Sequence, residues 1–451
     1  MYVKANITES EVSYIMQQKI LPFKLEFSSK EKITPYAGVG LYGEMFKALG
    51  IDKEVELLLP KPGSGAGFEA NTYVYPLVMM FIGGGKYIED IRKIQADEGL
   101  REMCQIDEVP SSDALGDWMR RMSDEKILSI QELNNSVMKK VIRKTAGGLT
   151  LDIDAMEIQA EKGDAEYTYT GNKGYMPMLG FIPELDLCVG YEFREGNIPP
   201  ADKNYEFSKE IIERIVKCGS KIERLRSDSA AYQAKVLNCA EEKKIKYTIA
   251  VDKDESIVQA IKEIGADEWK PVMDRNGIRG DQEYAEFIYS MNKSNHAFRV
   301  VVLRWKNPQQ DLFEKEEEYC YYGIATNYEE EKSGQEVIWW HRGRSNSENY
   351  NKALKDGFNL DYVPCGEYGA NAVWFGIGIL AYNLFIASKI LLFPKDWMKK
   401  TIHTVRWQFI QIAGKVIRRA RSVMVRLCGI PREIYEHYQR ARERCGLLYG
   451  T

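Results

Sequence analysis

LTLDIDAMEI, residues 149 to 158, alternates apolar and polar side chains, and a period of two marks a β-strand whose successive residues face opposite sides. Leu149, Leu151 and Ile153 then point one way, and Thr150, Asp152, Asp154 and Met156 the other, so two carboxylates share one strand face. Moving outward, KGYMPMLGFI (173 to 182) and LCVGYEFREG (187 to 196) read as two further strands joined by a turn at Pro183-Glu184, an antiparallel meander. A helix over about 204–219, the strand IERLRSD ending at Asp228, a helix over about 230–243 and the apolar strand KYTIAV (246 to 251) complete the run.

The resulting order, β-β-β-α-β-α-β, is that of a ribonuclease-H-like core, so the fold class is α/β with a mixed sheet. The alternation stops at residue 253. From there to 340, aromatic and β-branched segments such as FRVVVLRW (298 to 305) and EEYCYYGIAT (317 to 326) stand between charged loops, which predicts a β-rich insertion. Five regions follow: a mostly helical region at 1–146, of a kind that can bind DNA but more often serves as scaffolding, the first part of the core at 147–252, the insertion at 253–340, the second part of the core at 341–394 and a basic helical region at 395–451. In the first region, Ser111, Ser112 and Asp113 are available to cap a helix running to Met122. Two glycine clusters, GSGAG (63 to 67) and GGGK (83 to 86), lack phosphate-loop spacing, since Tyr87 follows Lys86 where a hydroxyl is needed; both read as turns.

Composition sets limits on chemistry. With 44% apolar and 28% charged residues, the 451-residue chain is globular. Its eight cysteines include no Cys-x-x-Cys pair, and MYVKANITES lacks a signal-peptide pattern, so reduced thiols and a cytoplasmic location are expected. Four scattered histidines, at 296, 341, 403 and 437, give no histidine zinc site; metal chemistry here would rest on carboxylates and a hard cation, magnesium or manganese. The apolar stretch NAVWFGIGILAYNLFIASKILLF (371 to 393) is long enough to span a bilayer, but Asn371, Asn383, Ser388 and Lys389 interrupt it, and a buried core helix without membrane contact is expected. Net charge is −4 overall, yet residues 395–451 hold 13 Lys and Arg against 4 Asp and Glu, a local +9. Within that tail KVIRRARSVMVR (415 to 426) reads as a basic amphipathic helix. Its Arg418 and Arg419 are either a solvated face or contacts to DNA phosphates.

HRGRSNSENYNKALKDGF (341 to 358) holds His341, Arg344, Glu348 and Lys355 at separations of three, four and seven, which places them on one face of a single helix. A carboxylate flanked by cations suits a metal ligand beside groups that grip substrate phosphates. The same residues also spell a capping box, Ser345 to Glu348. Asp228 likewise has an N-cap reading ahead of AAYQAKVL, and Asp152 or Asp154 an exposed-edge reading. Their conjunction favours chemistry. Acidic residues on the first strand, at the end of the fourth strand and on a late helix converge in a ribonuclease-H-like fold, where two cations roughly 3.5–4 Å apart promote phosphodiester cleavage.

The chain resembles the DDE transposases of bacterial insertion sequences, of the cut-and-paste group with the signature Tyr-x2-Arg-x3-Glu-x6-Lys. Arg344, Glu348 and Lys355 match it, and His341 stands at the tyrosine position. LDIDAM, GNKGYMPMLGF (171 to 181), LRSDSAAY (225 to 232) and NAVWFGIGILAYNL (371 to 384) carry further similarity. The resemblance implies Asp154 as first metal ligand, with Asp152 as second choice, then Asp228 and Glu348. It implies two magnesium or manganese ions; DNA contacts from Arg344, Lys355 and His341; double-stranded DNA, both element ends and target, as substrate; and a homodimer or higher oligomer on DNA. It also implies nicking at element ends followed by attack of a 3′-hydroxyl on target DNA, with a catalytically silent DNA-binding regulator as the alternative. A tryptophan of the insertion, among Trp269, Trp305, Trp339 and Trp340, would stack on an unpaired base.

Overall fold

Leu149–Ala155 is a strand, here β1, the third from one edge of a nine-stranded sheet. The computed structural model describes residues 31–62, 67–145, 147–307, 318–329, 331–419 and 422–449. Antiparallel to β1 runs β2 (Met178–Ile182), followed by β3 (Leu187–Glu192) at the edge; on its other side β4 (Ile222–Ser227) and then β5 (Lys246–Ala250) run parallel to it. Read across the sheet, these five strands give 3-2-1-4-5, the ribonuclease-H-like order anticipated from the sequence. Both faces of β1 are buried, so its polar face lies inside the protein. Helix Asn204–Lys217 covers one sheet face through Phe207, Ile211 and Ile215. It packs closely there because Gly180 and Gly190 have no Cβ; one added at either would stand 2.4–2.6 Å from Ile211.

The β-rich residues do not form a separate module. Strands β6 (Lys270–Met273), β7 (Arg279–Tyr289), β8 (Phe298–Lys306) and β9 (Tyr319–Thr326) continue the same sheet, β9 pairing antiparallel with β5. Alternation along β8 explains the continuity: Val300 and Val302 join the main core, while Val301 and Leu303 join a second, smaller one. Helix α1 (Gly334–Arg342) closes that second core with Val337 and Ile338.

Helix α2 (Asn346–Lys352) follows after a 3₁₀ turn at Gly343–Ser345 and runs into a π-turn at Ala353–Gly357. The apolar stretch forms helix α3 (Tyr368–Leu391), buried throughout its apolar length between β3 and the helices Ala70–Gly83, Ser112–Arg120, Asp124–Glu132 and Asn134–Ile142. This is the core helix expected, and each interrupting polar residue has a partner. Asn383 accepts from Cys188 N–H at 3.1 Å and donates to its carbonyl at 2.7 Å, satisfying backbone groups on the edge strand β3 that would otherwise cost about 1–3 kcal/mol each. Asn371 pairs likewise with Cys365, Ser388 bonds the Phe385 carbonyl at 2.6 Å, and Lys389 donates to the Met398 carbonyl at 3.0 Å.

Two further readings need correction. The segment 415–426 is not a helix. Ala413–Arg419 and Ser422–Cys428 are antiparallel strands, the first also pairing with Lys32–Thr34. Val416, Ile417, Val423 and Val425 favour extended backbone, and the pairing with a strand nearly 400 residues earlier lies beyond the reach of local periodicity. Arg418 and Arg419 are exposed on that hairpin. The second concerns the capping box, which forms one helix earlier than expected: Ser333 accepts from Glu336 N–H at 3.3 Å and the Glu336 carboxylate accepts from Ser333 N–H at 2.8 Å, whereas Ser345 caps nothing. The GGGK cluster is a turn as expected, with Gly84 ending helix Ala70–Gly83 at φ +100°; most of the GSGAG cluster lies outside the described residues.

Candidate active site

The parallel pairing of β1 with β4 sets Asp152 opposite Arg226 and Ile153 opposite Ser227. One step further, Asp154 and Asp228 leave adjacent strand ends at the same level, where neighbouring chains are about 4.8 Å apart. Asp154 is pushed above the usual carboxylate range by burial and by the negative charge of Asp228, with Arg344 opposing both. Two neighbouring carboxylates with a single guanidinium beside them could hold a cation between them. Asp228 also fills its capping role, since its Oδ1 accepts from Ala230 N–H at 3.0 Å.

Asp152, two residues earlier on the same strand face, is otherwise engaged. Its carboxylate receives Arg226 Nε at 2.8 Å and Nη2 at 2.7 Å in a bidentate pair, with both side chains nearly inaccessible to solvent. The same guanidinium donates to the Trp340 carbonyl at 3.1 Å near the end of α1, lies 5.0 Å from the centre of the Trp340 ring, and packs against Gly343, where a Cβ would come within 2.2 Å of Nη1. The buried pair therefore anchors the α1–α2 junction to the strands that carry Asp154 and Asp228.

Helix α2 faces Asp154 with three residues. Arg344, at its approach, stands 3.7 Å from Oδ1, Asn351 donates to Oδ2 at 3.1 Å, and Ser347 donates a hydrogen bond as well. Glu348 lies among them in sequence but about 60–100° round the helix from Ser347 and Asn351; it is exposed and, among the described residues, has no hydrogen-bond or ion-pair partner. No group of three His, Cys, Asp or Glu residues is close enough to hold a metal ion among the described residues. Two of the three expected carboxylates are thus side by side, and the third is on the adjoining helix, turned outward.

The single stripe of His341, Arg344, Glu348 and Lys355 does not exist, because a 3₁₀ turn and a π-turn change the angular step along the segment. Lys355 lies near Glu157. His341 continues the buried face of α1 set by Gly334, Val337 and Ile338; it is 3% exposed, and its Nε2 shares a hydrogen bond with the Tyr322 hydroxyl at 2.9 Å. A phosphate contact from His341 is therefore corrected to a core role. Tyr322, which also hydrogen-bonds Arg344, and Arg226, Ser347 and Asn351 are site residues that the sequence reading missed. The insertion tryptophans all have protein partners: Arg304 lies 4.0 Å over Trp269, Trp305 packs on the second core, Trp339 Nε1 donates to Met273 at 3.2 Å, and Trp340 covers Arg226.

The burial of His341 predicts acid sensitivity. Desolvation, then the Arg344 charge, push its imidazole from 6.5 down to about 3. Its folded pKa is below its unfolded one, so the unfolded chain binds the extra proton; the contribution is complete above about pH 6.5 and is lost at up to ~1.4 kcal/mol per pH unit below it. Thermal melts over that range should fall more steeply for the native chain than for His341→Gln. Parallel slopes would exclude His341 as the cause.

A family model for the transposase DDE domain, group 1, matches residues 22–438. Among solved structures, the cryo-EM structure of the piggyBac transposase synaptic complex with hairpin DNA aligns with 93% of this chain and 83% of that one, at 11% identity and a TM-score of 0.46. A search of curated proteins returns no match. Because the family model spans nearly the whole sequence, including both strand-end aspartates and the helix that faces them, this chain belongs to the DDE transposases of group 1.

Proposed function

We propose that this transposase cuts the phosphodiester bonds at the ends of a bacterial insertion sequence and joins the freed ends to target DNA, using Asp154, Asp228 and Glu348 as its metal-holding carboxylates. The observation that carries the assignment is the placement of Asp154 beside Asp228 on adjacent parallel strand ends, with the α2 face of Arg344, Ser347 and Asn351 against Asp154. All-oxygen donors of this kind suit magnesium or manganese, and a pair of such ions would stabilise charge on the attacking and leaving oxygens. Asp154 and Asp228 hold the fixed side of the site; Glu348 completes it when α2 turns by part of a helical step. That turn frees Asp154 from Asn351 and Ser347, which hold it until then, and Arg344, released from Asp154, pairs with a substrate phosphate. Lys355 serves the same strand, and Arg418 and Arg419 on the C-terminal hairpin contact DNA further off.

In the first step a water oxygen bonds to phosphorus and the bond to the 3′ oxygen breaks, leaving a 3′-hydroxyl. In the second, that hydroxyl attacks a target phosphodiester and displaces its 3′ oxygen. No covalent enzyme intermediate is required. Double-stranded DNA at both stages, and a homodimer or higher oligomer pairing two ends, follow from joining both ends of one element. The test is incubation of the chain with duplex DNA from the flanks of its own gene plus magnesium, followed by mapping of the cut strands. Nicks with 3′-hydroxyl termini at the element boundary are expected; intact DNA with magnesium and with manganese would refute the proposal.

A further inference from the structure

Three residues beyond Asp154, the chain that leaves β1 carries Glu157, and one oxygen of this carboxylate gathers an entire hairpin tip. Glu157 Oε1 accepts from Thr170 Oγ1 at 2.5 Å, Thr168 Oγ1 at 2.7 Å and Asn172 Nδ2 at 3.4 Å. The tip is further closed by Thr168 N–H to the Asn172 carbonyl at 2.8 Å and by Gly171, at φ +84°. It joins strands Glu166–Tyr167 and Lys173–Tyr175 of a small three-stranded sheet. Thr168 is buried beneath it, yet Tyr169 at the apex is 77% exposed and Tyr167 beside it 68% exposed. Lys355, from the segment that follows α2, lies close enough to Glu157 to help hold it ionised.

Two large aromatic rings held in water on a pinned turn gain nothing for folding. They are suited to a flat partner, because a tyrosine loses little rotamer freedom on contact. Three residue steps lead from Asp154 to Glu157, at most about 10 Å, roughly three base steps along a strand. Glu166 flanks the tip on one side and Lys173 on the other, so nearby phosphate contact falls to Lys355 rather than to the tip itself. Its chemistry is that of a stacking platform.

We propose that the Thr168–Asn172 tip, latched by Glu157, stacks Tyr169 on a nucleobase of the element-end strand within a few nucleotides of the cut, with Tyr167 supporting it. The inference rests on the cleavage reading above, since it takes the DNA to lie across Asp154 and Asp228. Glu157, Thr168 and Thr170 are positioning residues, and Tyr169 is the contact.

The test uses the full-length chain and element-end duplexes carrying 2-aminopurine at successive positions around the mapped cut, read by fluorescence without divalent cations. The native chain should change the emission at one or two adjacent positions. Tyr169→Ala should abolish that change and slow cleavage in magnesium by roughly 10-fold, Tyr169→Phe should preserve both, and Thr168→Val with Thr170→Val, which unlatches the tip, should weaken the signal while circular dichroism shows the chain still folded. An identical fluorescence profile and rate for native chain and Tyr169→Ala would overturn the proposal. Failure of the cleavage reading is distinguishable: Asp154→Asn would then cut like the native chain, whatever the base signal.

Discussion

Exchanging Asp154 or Asp228 for Asn, or Glu348 for Gln, is expected to lower DNA cleavage by roughly 1000-fold or more while affinity for the same duplex stays nearly constant. Bound cations supply several kcal/mol of transition-state stabilisation, and each ~1.4 kcal/mol is a factor of ten in rate. Loss of one carboxylate removes negative charge near a polyanion, so binding has no reason to weaken. Stability separates Asp154 from Glu348. Asp154 is held above the usual carboxylate range by burial and by Asp228, so Asp154→Asn should raise the melting temperature at neutral pH, the pattern of a site kept for function at some cost to the fold. Glu348 is exposed, so Glu348→Gln should shift stability by no more than about 0.5 kcal/mol. Calorimetry alongside strand-cleavage gels gives both readouts. A Glu348→Gln chain that nicks at the native rate would remove Glu348 from the chemistry and leave the aspartate pair in search of another third ligand.

What the sequence disclosed, and what it hid, divides along the range of the interactions concerned. Alternation in LTLDIDAMEI and the apolar run of KYTIAV report on neighbours within a few residues, and from them the succession β-β-β-α-β-α-β was legible. The choice between Asp152 and Asp154 was not. Both lie on one strand face, and only the register with β4, which puts Arg226 opposite Asp152, tells the anchored carboxylate from the available one. His341 was misread for a related reason. Spacing counted from residue 341 onward omits the helix that begins at the Ser333 cap; counted from Gly334, the steps of three, four and seven through Val337, Ile338 and His341 mark a buried face. The true capping box, Ser333 to Glu336, was the available signal. In the tail, positive charge at near-helical spacing concealed the β-branched residues of a hairpin whose partner strand lies at residues 32–34.

The buried Asp152–Arg226 pair gives the other large effect, in stability. Arg226→Ala should cost about 3–5 kcal/mol, because it leaves a carboxylate buried without its partner; Asp152→Ala should cost a similar amount by stranding the guanidinium. Urea unfolding at constant m-value measures both. If Asp152 were a metal ligand, its loss would instead abolish cleavage with little change in unfolding midpoint. The pair is expected to serve the site through geometry. Arg226 ties the Trp340 carbonyl and the close-packed Gly343 to the strand ends, and so fixes where α2 presents Arg344, Ser347 and Asn351 to Asp154. A volume-conserving apolar replacement, Asp152→Leu with Arg226→Met, should therefore recover much of the lost stability without recovering cleavage, since nothing then holds the α1–α2 junction in register. Gly343→Ala should act alike from the other side, its methyl group displacing the guanidinium. Recovery of cleavage together with stability in the double variant would show that packing alone positions the acidic helix and that the ion pair can be dispensed with.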